Sequence, residues 1–179
     1  MRVIAGEFGR RTLEAPRGET TRPTPDRMRE ALFSILAPQV EGKTFVDLYA
    51  GSGAVGIEAL SRGAARVVFV ESDRDALEAL KRNVKSLGIE KRTETIATPV
   101  RKALERRFDG IVFADPPYEA EKEYEQCLRH FGEQPPELLL LQHGRRFKLP
   151  ETSGKLVLAR RLKQGDNWVS FYLAGSVTP

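Results

Sequence analysis

The chain has 179 residues, 40% hydrophobic and 30% charged, with one cysteine and a net charge of +4. That size and balance suit one globular domain with its own core and exclude a disordered chain. Cys127 alone cannot form an intrachain disulfide, and no apolar run approaches the roughly 20 residues that span a bilayer, so no membrane association and a reducing cytoplasm are expected.

The N-terminus lacks the long apolar stretch of a signal peptide. Residues 2–8 read as a short strand, and residues 14–25, with Pro16, Gly18, Pro23 and Pro25, as a loop. Thr24 as N-cap and Pro25 at the first helical position open a helix. Met28, Leu32, Ile35 and Leu36 give it a buried face, and Pro38 and Gly42 close it. From Lys43 strands and helices alternate. Strands are expected at 44–49, 66–70, 92–97, 110–114 and 138–142. Helices are expected at 54–61, 73–87 (closed by Gly88), 100–107 and 121–131. Residues 155–162 and 168–173 read as two strands joined by hairpin turn chemistry at Gln164-Gly165-Asp166-Asn167. The fold class is therefore α/β: a doubly wound, mostly parallel, Rossmann-like sheet with a C-terminal antiparallel hairpin and an N-terminal strand/helix extension. One domain over 1–179 is expected, with 1–40 as the extension and 43–179 as the core.

The basic excess is mild, with a pI of about 9.3, and favours a polyanionic partner. It is arginine-rich at the N-terminus, where Arg2, Arg10, Arg11, Arg17, Arg22, Arg27 and Arg29 precede the first lysine, Lys43. Arginine is the better fork for phosphate. His130, His143 and Cys127 make no zinc-type spacing.

Two stretches carry chemistry. Asp47-Leu-Tyr-Ala-Gly51-Ser-Gly53-Ala-Val-Gly56 joins the first central strand to its helix, and Glu71 follows Gly51 by 20 residues. Gly51, Gly53 and Gly56 match the dinucleotide fingerprint, so a nicotinamide or flavin protein is one reading. A carboxylate at Asp47, just before the turn, repels a pyrophosphate but suits an ammonium. S-adenosylmethionine carries that ammonium and no phosphate, and Glu71 suits the ribose hydroxyls of either cofactor. The second stretch is Asp115-Pro116-Pro117-Tyr118, directly after the apolar run 110–114. A carboxylate, a carbonyl held by proline and an aromatic face together suit a planar base gripped through its exocyclic amino group. Asp115 and the Pro116 carbonyl would accept hydrogen bonds from that amine, Pro117 would stiffen the turn and Tyr118 would stack on the extruded base.

With these residues the chain resembles class I S-adenosylmethionine-dependent amino-methyltransferases. More narrowly it resembles the RsmD family, which methylates guanine N2 in bacterial 16S ribosomal RNA. The resemblance lies in Thr21–Leu36, Val46–Ala64, Val70-Glu-Ser-Asp73 and Phe108–Tyr118. It implies S-adenosylmethionine held by Asp47, Gly51, Gly53, Glu71, Ser72 and Thr98. It also implies 16S RNA or the small-subunit ribonucleoprotein as partner, a monomer, and an RNA grip for which Arg10, Arg22 and Arg27 are the candidates. Two positions depart from the family pattern. Gln142 stands where a Glu is usual, and Thr98-Pro99 replaces an Asp or Asn at the adenine pocket. An amino-methyltransferase acting on adenine N6 or a protein glutamine, and a dinucleotide-binding Rossmann protein, are the alternatives.

Overall fold

A computed structural model describes residues 1–16, 26–117 and 120–175. Among these, the central parallel strands are β1 (Thr44–Leu48), β2 (Arg66–Glu71), β3 (Thr93–Ala97), β4 (Ile111–Ala114) and β5 (Leu138–Gly144). β6 (Thr152–Ser153), β7 (Leu156–Gln164) and β8 (Asn167–Ala174) follow. They form one sheet in the order β3-β2-β1-β4-β5-β8-β7-β6. β1 to β5 pair in parallel, and β8 joins β5 antiparallel. β7 and β8 form the expected hairpin.

Alternation along the strands explains why the sheet is covered on both faces. Phe45, Val67, Phe69, Ile111, Phe113, Leu138 and Leu140 point into one core. They meet α1 (Asp26–Val40), α2 (Ala54–Ser61) and α3 (Arg74–Leu87). Val46, Leu48, Val68, Val70, Val112, Ala114, Leu139 and Leu141 point into the other, against α4 (Val100–Ala103) and α5 (Glu121–Glu133). Asp73 caps α3 by accepting from the Ala76 N–H, and Gly88 ends it in the left-handed region at φ 67°.

Three expectations need correction. Residues 2–8 do not form a strand. Arg2 and Thr12 make one isolated antiparallel bridge, and the chain turns between them. Polar groups of α2 hold that turn instead. The Glu58 carboxylate accepts from the Ile4 and Ala5 N–H groups, and the Ser61 hydroxyl from the Phe8 N–H. α1 runs through Pro38 to Val40: the proline forgoes one backbone hydrogen bond near the helix end, and the full burial of Leu36 and Val40 on either side holds the last turn in place. α4 stops at Ala103 rather than reaching Arg107. The expected cap Thr24-Pro25 lies outside the described residues. No helix among the described residues is long and apolar enough to cross a membrane.

Candidate active site

The chain leaves β1 for α2 on one face of the sheet and leaves β4 for α5 on the other. Two neighbouring strands whose connections diverge leave a crevice at their carboxyl ends, the usual ligand position in open α/β sheets. A cleft of about 670 Å³ opens there, and Asp47, Gly51, Glu71, Ser72, Asp115, Pro116 and Pro117 line it. Strand register thus brings together two stretches separated by more than 60 residues.

Asp47 is 1% exposed at the cleft floor. Its Oδ2 accepts from the Gly56 N–H at 2.8 Å, which ties β1 to the first turn of α2. Burial pushes its pKa well above the ordinary carboxylate value, opposed in part by the Gly56 hydrogen bond and reinforced by Asp115 and Glu71. A cation delivered to this cleft would relieve that cost.

Glu71, at the end of β2, already carries three hydrogen bonds. Its Oε2 accepts from the Gly51 N–H at 2.7 Å, and its Oε1 from the Ser72 and Asp73 N–H groups at 2.7 and 2.8 Å. The same carboxylate therefore shapes the glycine loop and faces the cleft. The loop glycines have different duties. Gly53 has φ 82°, and a Cβ there would stand 2.4 Å from Leu80 Cδ1. Gly56 lets α2 lie against β2, since a Cβ would stand 2.4 Å from Phe69 Cε1. Gly51 alone of the three lines the cleft. Thr98 lies beside it: Pro99, Val100 and Arg101 form that wall, and the Thr98 N–H is committed to the Ile96 carbonyl at 3.0 Å.

At the end of β4, Asp115 Oδ2 accepts from Gln142 Nε2 at 2.8 Å. Gln142 is 2% exposed on β5, and its Oε1 has no hydrogen-bond partner among the described residues. The hydroxyl of Tyr124 reaches the Gln142 carbonyl at 3.1 Å and the Pro116 carbonyl at 3.4 Å. Tyr49 adopts φ 62°, rare for a bulky residue, and its hydroxyl donates to Glu123 Oε2 at 2.5 Å. Both line the cleft, and burial raises the Tyr49 pKa. Gln142, Tyr124, Tyr49 and Glu123 were not among the expected site residues. Gln142 left a trace in the sequence as a departure from the family pattern. Nothing in the α5 sequence separates Glu123 from the other acids on that helix.

Arg10 is exposed, in a turn at φ 70°, and Arg27 is exposed in the first turn of α1. Neither lines the cleft. Arg22 and Tyr118 lie outside the described residues. Arg29 is not available to phosphate. It is fully buried, and its guanidinium donates to the Arg2 carbonyl and to Asp26 at 2.6 and 2.9 Å. From the extension, Met1, Ala15 and Pro16 reach the cleft rim.

A family model described as "conserved hypothetical protein 95" matches residues 1–173. The chain belongs to this family, the RsmD family. It is 38% identical to the Bacillus subtilis protein YlbH, over 96% of this chain and 98% of that one. It is 37% identical to ribosomal RNA small subunit methyltransferase D of Escherichia coli, over 66% of this chain and 60% of that one. Among solved structures, that of Escherichia coli yhhF superposes with a TM-score of 0.86 at 30% identity, covering 98% of both chains.

Proposed function

We propose that this RsmD-family chain transfers a methyl group from S-adenosylmethionine to the exocyclic N2 amine of a guanine in small-subunit ribosomal RNA. The observation that carries this reading is one cleft with a buried, cation-seeking carboxylate at Asp47 and an oriented acceptor carboxylate at Asp115 on the neighbouring strand.

The donor set fits the cofactor. Asp47 offers the counter-charge for its ammonium. Glu71 offers the ribose hydroxyls a carboxylate already fixed by three N–H donors. Ser72 and the wall beside Thr98, from Pro99 to Arg101, bound the same end of the cleft. When bound, S-adenosylmethionine supplies an electrophilic methyl on a sulfonium.

The amine of guanine is a weak nucleophile because its lone pair is delocalised into the ring. Asp115, held by Gln142, accepts a hydrogen bond from that amine, and the Pro116 carbonyl accepts a second. The two fix the lone pair and oppose the positive charge that grows on nitrogen. Pro117 stiffens the turn and Tyr118 stacks on the base. After transfer the proton leaves through Asp115 or through water. Arg10, Arg22 and Arg27 are proposed to contact RNA, and the protein to act as a monomer in the cytoplasm on RNA or its ribonucleoprotein.

Mass mapping of small-subunit RNA from a deletion strain tests the reading. One N2-methylguanine should be missing and should return when the chain is supplied. An unchanged nucleoside profile refutes it.

A further inference from the structure

The net charge of +4 is concentrated in one place. Residues 145–168 hold seven Lys and Arg against Glu151 and Asp166, a net of +5, so the other 155 residues together carry −1. Within this segment the same pattern occurs twice, as Arg145-Arg146-Phe147-Lys148 after β5 and Arg160-Arg161-Leu162-Lys163 on β7. The fold sets the two runs side by side. The Arg161 guanidinium donates to the Leu149 carbonyl at 3.2 Å, and the Arg145 N–H donates to the Asp166 carbonyl at 2.8 Å.

The two runs lie beyond β5, at the same end of the sheet as the cleft but outside its lining. Ala114 pairs with Leu141, so Asp115 stands beside Gln142. Two residues further, Gly144 pairs with Asn167 of β8, and Asn167 with Gln164 of β7. The hairpin turn and the loop after β5 therefore project past the same carboxyl ends as Asp115. Three inter-strand steps separate β4 from β7, a distance of about 15 Å.

The charges here are also unspent. At the far side of the sheet Arg66 and Arg106 share Glu94, Arg82 meets Glu14 and Arg92 meets Glu7. Arg146, Lys148, Arg160 and Lys163 are exposed and, among the described residues, have no carboxylate within 4.0 Å. Aromatic faces hold two of them in place. Lys163 Nζ lies 4.5 Å from the centre of the Trp168 ring, and the Arg160 guanidinium 5.6 Å from that of Phe171. A second cleft, of about 790 Å³, runs between α5 and the loop, but there Glu121, Glu125 and Glu133 offset Arg129, Arg146 and Lys148, so its lining offers a polyanion no net positive charge. The favourable path crosses the hairpin.

We propose that the β7–β8 hairpin and the loop after β5 form the main phosphate-gripping surface, holding the RNA strand that feeds a base to Asp115. This rests on the RNA-methylation reading above, and it moves the principal grip from the N-terminal arginines to the C-terminal hairpin. Such contacts carry affinity and salt dependence without base choice.

Two double variants, Arg146→Gln/Lys148→Gln and Arg160→Gln/Lys163→Gln, test it. Lys81→Gln/Lys85→Gln on the exposed side of α3 serves as an equal-charge control. The substrates are small-subunit RNA and small-subunit particles from a strain lacking the enzyme. In each hairpin variant KM for RNA should rise on the order of tenfold, and the salt slope of binding should fall by about two. Neither kcat nor S-adenosylmethionine affinity should change, and the control should match the unsubstituted protein. If a double variant loses cofactor binding through misfolding, Lys163→Gln alone should show about half the change in slope. Hairpin variants that behave like the control overturn this inference and leave the RNA reading standing. An unsubstituted protein that methylates neither substrate overturns both.

Discussion

Gln142 Nε2 donates to Asp115 Oδ2 at 2.8 Å across adjacent strands, from a side chain that is 2% exposed. A neutral amide at this point orients the Asp115 carboxylate without adding charge to a cleft that already holds Asp47 on β1, Glu71 on β2 and Glu123 on α5. A second carboxylate in its place would share a proton with Asp115. Gln142→Glu is therefore expected to move the acidic limb of the kcat–pH profile upward, so that activity lost at pH 7 is regained at higher pH. Gln142→Leu should lower kcat at every pH without moving that limb. A profile in Gln142→Glu identical in position to that of the unsubstituted enzyme counts against the pairing as a functional one.

Asp47 should trade stability for cofactor binding. Its folded pKa is raised above the unfolded value, first by burial and then by Asp115 and Glu71, so the folded state binds more protons in that window. The sign follows: without cofactor, the charged form costs stability at neutral pH, and the cost is relieved as pH falls through the raised pKa. Asp47→Asn keeps an oxygen for the Gly56 N–H and removes the charge. It should raise stability by about 1 kcal/mol, or roughly 2–4 °C in Tm. The same change should weaken S-adenosylmethionine binding by about 2 kcal/mol, roughly thirtyfold. Calorimetric melting with and without cofactor reads both effects.

Gly53→Ala combines two penalties, a left-handed backbone at φ 82° and a methyl 2.4 Å from Leu80 Cδ1. Together they should cost about 2–4 kcal/mol, or roughly 5–15 °C in Tm. Gly51, at φ 56°, has no heavy atom within 4 Å of where a methyl group would stand, so Gly51→Ala should cost only its backbone strain, about 1–3 kcal/mol. Comparing the two melts separates packing from backbone conformation.

The central fold was legible because its signals are local. α2 starts after Gly53 and ends at Ser61 as expected, since glycines fix both ends of an apolar run. β1, β2 and β4 are short apolar runs bounded by turn residues. The N-terminal turn was not legible. It is held by Glu58 and Ser61, more than 50 residues away, so the apolar Val3 and Ile4 look like a strand from sequence alone. β6 is likewise two residues paired to β7 by tertiary placement. At the site, Asp47, Glu71 and Asp115 were readable as acids at strand ends. Gln142 and Tyr124 became partners of the Asp115 turn only through strand register and helix packing. Arg29 looked like a surface charge because no pattern announces a cation that points inward at the Arg2 carbonyl.

On the proposed mechanism, Asp115 is the group on which methyl transfer depends most, because it would orient the acceptor amine. Single-turnover methyl transfer by Asp115→Ala, measured beside its S-adenosylmethionine affinity, tests this directly. Affinity should stay within about threefold of the unsubstituted enzyme while the transfer rate falls by about 10²–10⁴. Near-normal transfer by this variant, with cofactor bound, would contradict that role.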